Sequence, residues 1–324
     1  MNIKKIGLTA LAGSLVATSS IAGEMSVAGG ASINMEHING GAANAGKTFS
    51  MGNQLTFTGS GELDNGLTVS LSFILDQGDD KGKTTAADDN AGAPFDSHSV
   101  SISSDSLGTL VFAGEGGGNA QTALDTTAAG DIWDAFDDSG ALTPGGGASG
   151  NNNFMYTLPS LMDGMTAKVS YLPTGSATKS VVGYSLSYTG VEGLTLSYGA
   201  SEGSSPLTDV DTSSLSATYA YGPLTVGYSK TESDSSAANA DKTTTSYGIT
   251  YTVSDEISVT YGTEEIASDA TAAVEDAEFA GVKVAYTAGG MTVTASMQDA
   301  DNIDGTTTAT EDRERWALGA SFAF

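Results

Sequence analysis

From Glu24 to Phe324 the chain alternates apolar with small polar residues, and this period of two constrains its fold more than any other feature. Thr68-Val69-Ser70-Leu71-Ser72-Phe73, Thr225-Val226-Gly227-Tyr228 and Thr292-Val293-Thr294-Ala295-Ser296-Met297 show the pattern. Successive side chains of a strand point to opposite faces, so these runs predict strands with one apolar and one polar face. Almost no helical period competes. Two architectures use such strands. In a sandwich the apolar face meets a second sheet; in a membrane barrel it meets lipid while the polar face meets water.

Turn chemistry separates the two. Short reversals sit at Asp64-Asn65-Gly66, Asp105-Ser106-Leu107-Gly108, Met162-Asp163-Gly164, Gly190-Val191-Glu192-Gly193, Gly222-Pro223, Ser254-Asp255-Glu256 and Ala288-Gly289-Gly290, where Gly, Asn and Asp supply the backbone freedom a tight turn needs. Longer polar loops lie near 37–48, 76–97, 115–150, 172–179, 202–212, 232–243, 265–277 and 299–311. Long and short connections take turns along the whole chain. Seven short turns and eight long loops join sixteen strands. The sequence therefore predicts an all-β fold: a transmembrane antiparallel β-barrel of sixteen strands, with short periplasmic turns and long extracellular loops. A soluble sandwich predicts no such rhythm, and its buried face would hold large residues where this chain often has Ala, Gly, Met or Tyr.

Composition closes other routes. Lys and Arg total 12 against 39 Asp and Glu, a net charge of -27, so no nucleic acid is expected as a partner. No Cys is present, which removes disulfides, thiolate metal sites and a cysteine nucleophile. His37 and His98 are the only histidines, and no Gly-x-Ser-x-Gly elbow occurs, so no enzyme is expected. At the start, Lys4-Lys5, an apolar run from Ile6 to Val16 and Ser20-Ile21-Ala22 form a Sec-type signal peptide over 1–23. It is too short and too rich in Thr, Ser and Gly to span a bilayer as a helix. A single barrel domain over 24–324 follows, placed in the outer membrane among membrane lipid and lipopolysaccharide.

The chain ends Arg313-Glu314-Arg315-Trp316-Ala317-Leu318-Gly319-Ala320-Ser321-Phe322-Ala323-Phe324, with Trp316, Leu318, Ala320, Phe322 and Phe324 on one face. A terminal aromatic strand ending in Phe324 looks like the signal read by the outer-membrane assembly machinery. Leu55-Thr56-Phe57-Thr58-Gly59-Ser60-Gly61-Glu62-Leu63-Asp64-Asn65-Gly66-Leu67 and Leu107-Gly108-Thr109-Leu110-Val111-Phe112-Ala113-Gly114-Glu115 complete the picture. With them the chain resembles the general bacterial porins of Gram-negative outer membranes, nearest their alphaproteobacterial branch. The resemblance implies a sixteen-stranded barrel, usually a homotrimer, that passes small hydrophilic solutes by diffusion. It further implies that the third long loop folds into the lumen, its acids facing basic residues of the wall.

The matching loop is 115–150, the longest in the chain. It carries Glu115, Asp125, Asp131, Asp134, Asp137 and Asp138 and no Lys or Arg, while Ile132, Trp133 and Phe136 are apolar anchors that a freely solvated loop would not need. Trp133 and Phe136 are expected to pack it against the inner wall. Strand phase places the basic partners: Ala167, Val169 and Tyr171 face lipid, so Lys168 faces in; Val282, Val284 and Tyr286 face lipid, so Lys283 faces in; Arg313 and Arg315 share the inward phase of the last strand. Where the family often has Arg, on the inner face of the strand 49–63, this chain has Gly52 and Gln54, which thins the basic cluster.

A passive pore with weak cation selectivity is therefore expected, the alternative being a structural or adhesive surface barrel with a plugged lumen. No cofactor is expected. Asp76, Asp79 and Asp80, or Asp299, Asp301 and Asp304, offer oxygen ligands for Ca²⁺ in the extracellular loops.

Overall fold

The alternation becomes a ladder that closes on itself. The structure, a computed structural model, describes residues 23, 25–40, 46–76, 95–121, 124, 127–136, 142–173, 180–204, 210–270, 275–306 and 312–324. The strands are β1 (Met25–Asn39), β2 (Gly46–Glu62), β3 (Thr68–Asp76), β4 (Phe95–Ser104), β5 (Gly108–Glu115), β6 (Asn153–Thr157), β7 (Met165–Pro173) and β8 (Ser180–Val191). They continue with β9 (Leu194–Ser204), β10 (Val210–Tyr221), β11 (Leu224–Ser235), β12 (Lys242–Thr252), β13 (Ile257–Ser268), β14 (Ala277–Ala288), β15 (Met291–Asp301) and β16 (Arg313–Ala323). Every neighbour pairs antiparallel in chain order, and β16 pairs with β1 to close the barrel. Closure satisfies each strand's hydrogen bonds and leaves no free edge in the bilayer. The predicted sixteen strands are thus the observed ones.

The ladders turn most of their large apolar residues outward and most of their hydroxyls inward, with Ile266 and Phe279 among the exceptions. On β14, Val282, Val284 and Tyr286 are exposed on the outer wall, and across the ladder they meet Tyr261, Val259 and Ile257. The inward phase of the same pair holds Gly281, Lys283 and Ala285 against Gly262, Thr260 and Ser258. At the short turn between β8 and β9, Gly193, with φ of 74°, takes a left-handed conformation that a Cβ would strain.

The strands run further than hydropathy indicates. The loop expected at 37–48 begins only after Asn39, so His37 lies within β1, its ring 6.0 Å from that of Trp316 on β16. Glu202, Asp211, Glu232, Glu265, Glu278 and Asp299 likewise lie inside strands, at outward positions on the long-loop side. A ladder is held by backbone hydrogen bonds and does not stop where the apolar band stops, so the wall rises beyond the lipid and turns acidic there. The signal-peptide segment 1–22 lies outside the described residues.

Candidate functional site

The third long loop leaves β5 at Glu115 and is laid along the inner wall. Its entry is glycine: a Cβ at Gly117 would collide with the Asn153 amide, and Asn153 Nδ2 donates to the Gly118 carbonyl at 2.7 Å. Two buried amides follow and act as a buckle. Asn119 Nδ2 donates to Ser201 Oγ on β9 at 2.8 Å and to the Ala148 carbonyl on the returning limb at 3.1 Å, while its Oδ1 accepts from Ser170 Oγ on β7 at 3.2 Å. Gln121 Nε2 donates to Ser214 Oγ on β10 at 2.8 Å, and its Oε1 accepts from Gly147 N at 2.9 Å. Both limbs of the loop and three wall strands meet at these two side chains. Each amide is fully enclosed, so losing a partner would strand a polar group out of water.

Further along, a row of glycines receives the loop backbone. Gly227, Gly248, Gly262 and Gly281 face one another across β11 to β14. A Cβ at Gly248 would strike the Ala128 carbonyl, and one at Gly262 would press on Ala129. The missing side chains thus leave a groove one backbone wide. Ala128 N donates to Ser246 Oγ at 2.7 Å and to Ser229 Oγ at 3.2 Å. Thr127 and Asp131 close the turn reciprocally, each backbone N–H donating to the other's side chain at 2.8 Å, and Asp131 sits at a φ of 53°.

A single turn of 3₁₀ helix, Ile132–Phe136, then presses into the wall. Ile132 and Phe136 are buried against Ile266, Ala277, Phe279, Ala300 and Ile303, with Trp133 and Leu142 half-buried beside them. Apolar burial of this kind holds a loop that carries several charges. Trp133 N donates to Glu264 Oε1 at 3.1 Å, and Glu264 is itself buried, at 3 % exposure. On the return, Leu142 N donates to the Ile303 carbonyl at 2.6 Å and Lys242 Nζ to the Thr143 carbonyl at 2.9 Å.

The charged positions named from the sequence distribute as follows. Glu115 ends β5, its Oε2 3.8 Å from His98 Nδ1. Asp131 serves the turn, and Asp134 is exposed on the 3₁₀ turn. Asp125, Asp137 and Asp138 lie outside the described residues. On the wall, Lys168 and Lys283 take inward positions on β7 and β14, and Arg313 is buried on β16. Arg315 donates through Nε and Nη2 to Glu36 Oε2 on β1, at 3.0 and 2.7 Å, and through Nη1 to Gln298 on β15 at 2.7 Å. Trp133 and Phe136 both meet the inner wall, Phe136 the more deeply. Sequence reasoning did not single out Asn119, Gln121, Glu264, Lys242, Glu36 or the glycine row.

Among the described residues, no group of three or more His, Cys, Asp or Glu is placed to hold a metal ion. Asp299 and Asp301 stand on β15, Asp304 accepts from Thr306, and Asp79 and Asp80 lie outside the described residues.

Comparison with known proteins bears on this geometry. A family model described as Gram-negative porin matches residues 7–273. No curated protein matches the sequence. Among solved structures, an anion-selective porin from Comamonas acidovorans superposes with a TM-score of 0.71 at 16 % identity, covering 93 % of this chain and 100 % of that one. The trimer form of OmpT, an outer membrane protein of Vibrio cholerae, gives 0.69 at 14 % identity over 94 % of this chain and 100 % of that one. A mutant porin of Rh. blastica gives 0.66 at 15 % identity over 93 % and 100 %.

Proposed function

This chain belongs to the Gram-negative porin family, whose members are non-enzymatic pores of the outer membrane, and from that premise we propose that its lumen passes small hydrophilic solutes and ions with a weak preference for cations. One observation carries the reading. The loop is fastened to β6, β7 and β9–β15, and the inward faces of β1–β4 are lined by small hydroxyl residues such as Ser32, Ser50, Ser72 and Ser99. A plug would have to cover that wall as well.

The cation preference follows from charge. One carboxylate at ~8 Å in water attracts a monovalent cation by ~0.5 kcal/mol, of which roughly a third survives physiological screening. Six loop acids together supply on the order of 1 kcal/mol, about a fivefold bias before the inward Lys168, Lys283, Arg313 and Arg315 are subtracted. A structure of the same fold from Comamonas is called anion-selective, so the barrel alone does not give the cation sign and the reading rests on this chain's charges. In a planar bilayer the chain is expected to open in discrete steps. Its zero-current potential across a salt gradient should carry the cation sign and fade as salt rises, and Asp131, Asp134, Asp137 and Asp138 replaced by Asn should lower it. An anion sign in the unmutated protein would hand control to the basic wall.

We also propose that the barrel assembles as a homotrimer. All twelve tyrosines fall between Tyr156 and Tyr286, at outward positions of β6–β14. Tyrosine belongs where a wall meets the lipid headgroups. The outward sector from β16 through β1 to β5 has none and instead presents Phe49, Met51, Ile33 and Met25, with Phe57 stacked on Phe73 at 4.7 Å. A largely apolar surface without tyrosine, with Trp316 at its β16 edge, suits a second copy of the chain, and one relative is a trimer form. Ile33→Glu with Met51→Glu is expected to give a folded monomer on native detergent gels; an unchanged oligomer would move the contact to another sector.

A further inference from the structure

From Gln298 to Arg315 the only large apolar residue is Ile303, set among Asp, Asn, Thr and Gly. An isoleucine in such a stretch is informative only if it is buried, and Ile303 is fully enclosed, at 0 % exposure. The chain leaves β15 at Asp301 and turns at once. Asn302 takes a φ of 54° and Gly305 one of 77°, and Gly305 N donates to the Asn302 carbonyl at 2.7 Å. The Asp304 carboxylate accepts from Thr306 N and Oγ1 at 3.0 and 2.8 Å. Asn302 N donates to Asp312 Oδ1 at 3.2 Å, just ahead of β16. This compact turn carries Ile303 into the cluster formed by Ile132 and Phe136 of the third loop and Ile266, Phe279 and Ala300 of the wall. Of the buried members, Ile303 alone comes from neither the third loop nor a strand.

The backbone of the turn is engaged as well. The Ile303 carbonyl accepts from Leu142 N, on the returning limb of the third loop, at 2.6 Å. The Gly305 carbonyl accepts from Glu275 N, in the connection between β13 and β14, at 3.0 Å. That connection is tied to the one before it: Asp241 N donates to Asp269 Oδ1 at 2.8 Å, and Asp269 N to the Asp241 carbonyl at 3.2 Å. The turn is therefore braced by two other long loops and by the wall. The segment Ile132–Phe136 is a short piece of 3₁₀ helix, whose own hydrogen bonds fix its shape but not its place. Its place comes from packing. The wall strands are locked by ladders on both sides, so Ile303 is the buried partner that stands on a loop outside the ladder.

Resting on the pore reading above, we propose that Ile303 is a positioning residue of the constriction. Through it the last long loop holds the third loop at its place in the lumen, so the width of the pore is set from the long-loop rim as well as by the inner wall. Withdrawing Ile303 releases one side of the 3₁₀ turn and leaves the barrel intact.

The experiment uses the absence of Cys from the chain. Leu142→Cys with Ile303→Cys gives a full-length barrel with one possible disulfide, between residues whose backbones are hydrogen-bonded and whose side chains share one cluster. Single channels are recorded in a planar bilayer, reduced and then oxidised. The reduced form is expected to fluctuate between current levels, and oxidation of the same barrel is expected to quiet it. Ile303→Ala should raise the time spent away from the native level by at least about tenfold, and Ile303→Val by far less. All of these barrels should keep their heat-resistant migration on gels, because no ladder passes through Ile303. A cross-link that forms and leaves the current as it was when reduced would overturn the proposal. So would a folded Ile303→Ala barrel with native current, or a folded double-cysteine barrel in which no cross-link forms. Loss of the barrel in these variants would make Ile303 a residue of the fold and not of the constriction. Absence of channels in the unmutated protein would instead remove the pore reading itself.

Discussion

Gly248→Leu combined with Gly262→Leu is expected to raise single-channel conductance, although both changes add bulk to the inside of the barrel. The two glycines are paired across β12 and β13 and lie directly beneath the loop backbone at Ala128 and Ala129. Any Cβ at 248 meets the Ala128 carbonyl, which is backbone and cannot swing aside as a side chain would. Overpacking of this kind costs about 1–3 kcal/mol per site when the neighbour is rigid. The loop yields more easily than the wall, whose strands are locked on both sides by ladders. Displacement should break the bonds of Ala128 N to Ser229 and Ser246 and lift the 3₁₀ turn from Ile266 and Phe279.

With the loop detached, conductance should rise by roughly half to twofold, as it should on deletion of 125–138. Thr250→Leu supplies the control. Thr250 is inward on β12, two residues beyond Gly248, and its hydroxyl is paired with Thr260 at 2.9 Å. Leucine there adds bulk without touching the loop and is expected to leave conductance unchanged or lower it. If the glycine pair behaves like Thr250, the loop does not depend on the groove.

The contrast between Gly248 and Thr250 also shows what a sequence of this kind discloses. Phase is local: once Val282, Val284 and Tyr286 are seen to alternate, the inward direction of Lys283 follows without further information, and the same holds for Lys168, Arg313 and Arg315. Strand number follows from turns, which are equally local. The seat of the loop is not local. Ser170, Ser201, Ser214, Ser229 and Ser246 lie on five different strands and look like any other hydroxyls of a hydrated wall. Only register brings four unrelated glycines into one row, and register depends on shear, which hydropathy does not encode.

A partial signal existed in Ile266 and Phe279. Both occupy the inward phase, where their strand neighbours are Glu264 and Ser268 or Ala277 and Gly281, and a large apolar side chain facing water announces that something packs on it. Glu264 gave a weaker sign, because Glu265 follows it and one of any two adjacent acids must point inward. The long loops begin later than hydropathy indicates for a related reason. Glu202, Glu232 and Glu265 mark the end of the lipid and not the end of pairing.

The orientation of the wall itself leads to the second large effect. Val284→Arg is expected to destabilise the barrel in lipid, while Ala285→Arg, one residue away, is expected to be tolerated. Val284 is on the outer face of β14 between Val259 of β13 and Ala295 of β15, and 42 % of it is uncovered by protein. In a membrane that uncovered surface faces hydrocarbon. An arginine at the midplane of a transmembrane barrel costs about 2–4 kcal/mol, which shifts the folding equilibrium roughly thirty- to a thousand-fold. The side chain can lower this cost by reaching toward an interface, and Tyr286, one outward position nearer the short turn, offers the nearer one.

Ala285 instead lies between Ser258 and Thr294 on the lumen side, where a guanidinium keeps its water. Its replacement should cost less than about 1 kcal/mol and act on conduction instead, by adding a cation two residues from Lys283. Urea unfolding of the two variants from vesicles of one lipid composition makes the comparison. A large loss for Ala285→Arg with none for Val284→Arg would mean that the alternating faces are assigned the wrong way round, and with them the inward positions of Lys168, Lys283, Arg313 and Arg315.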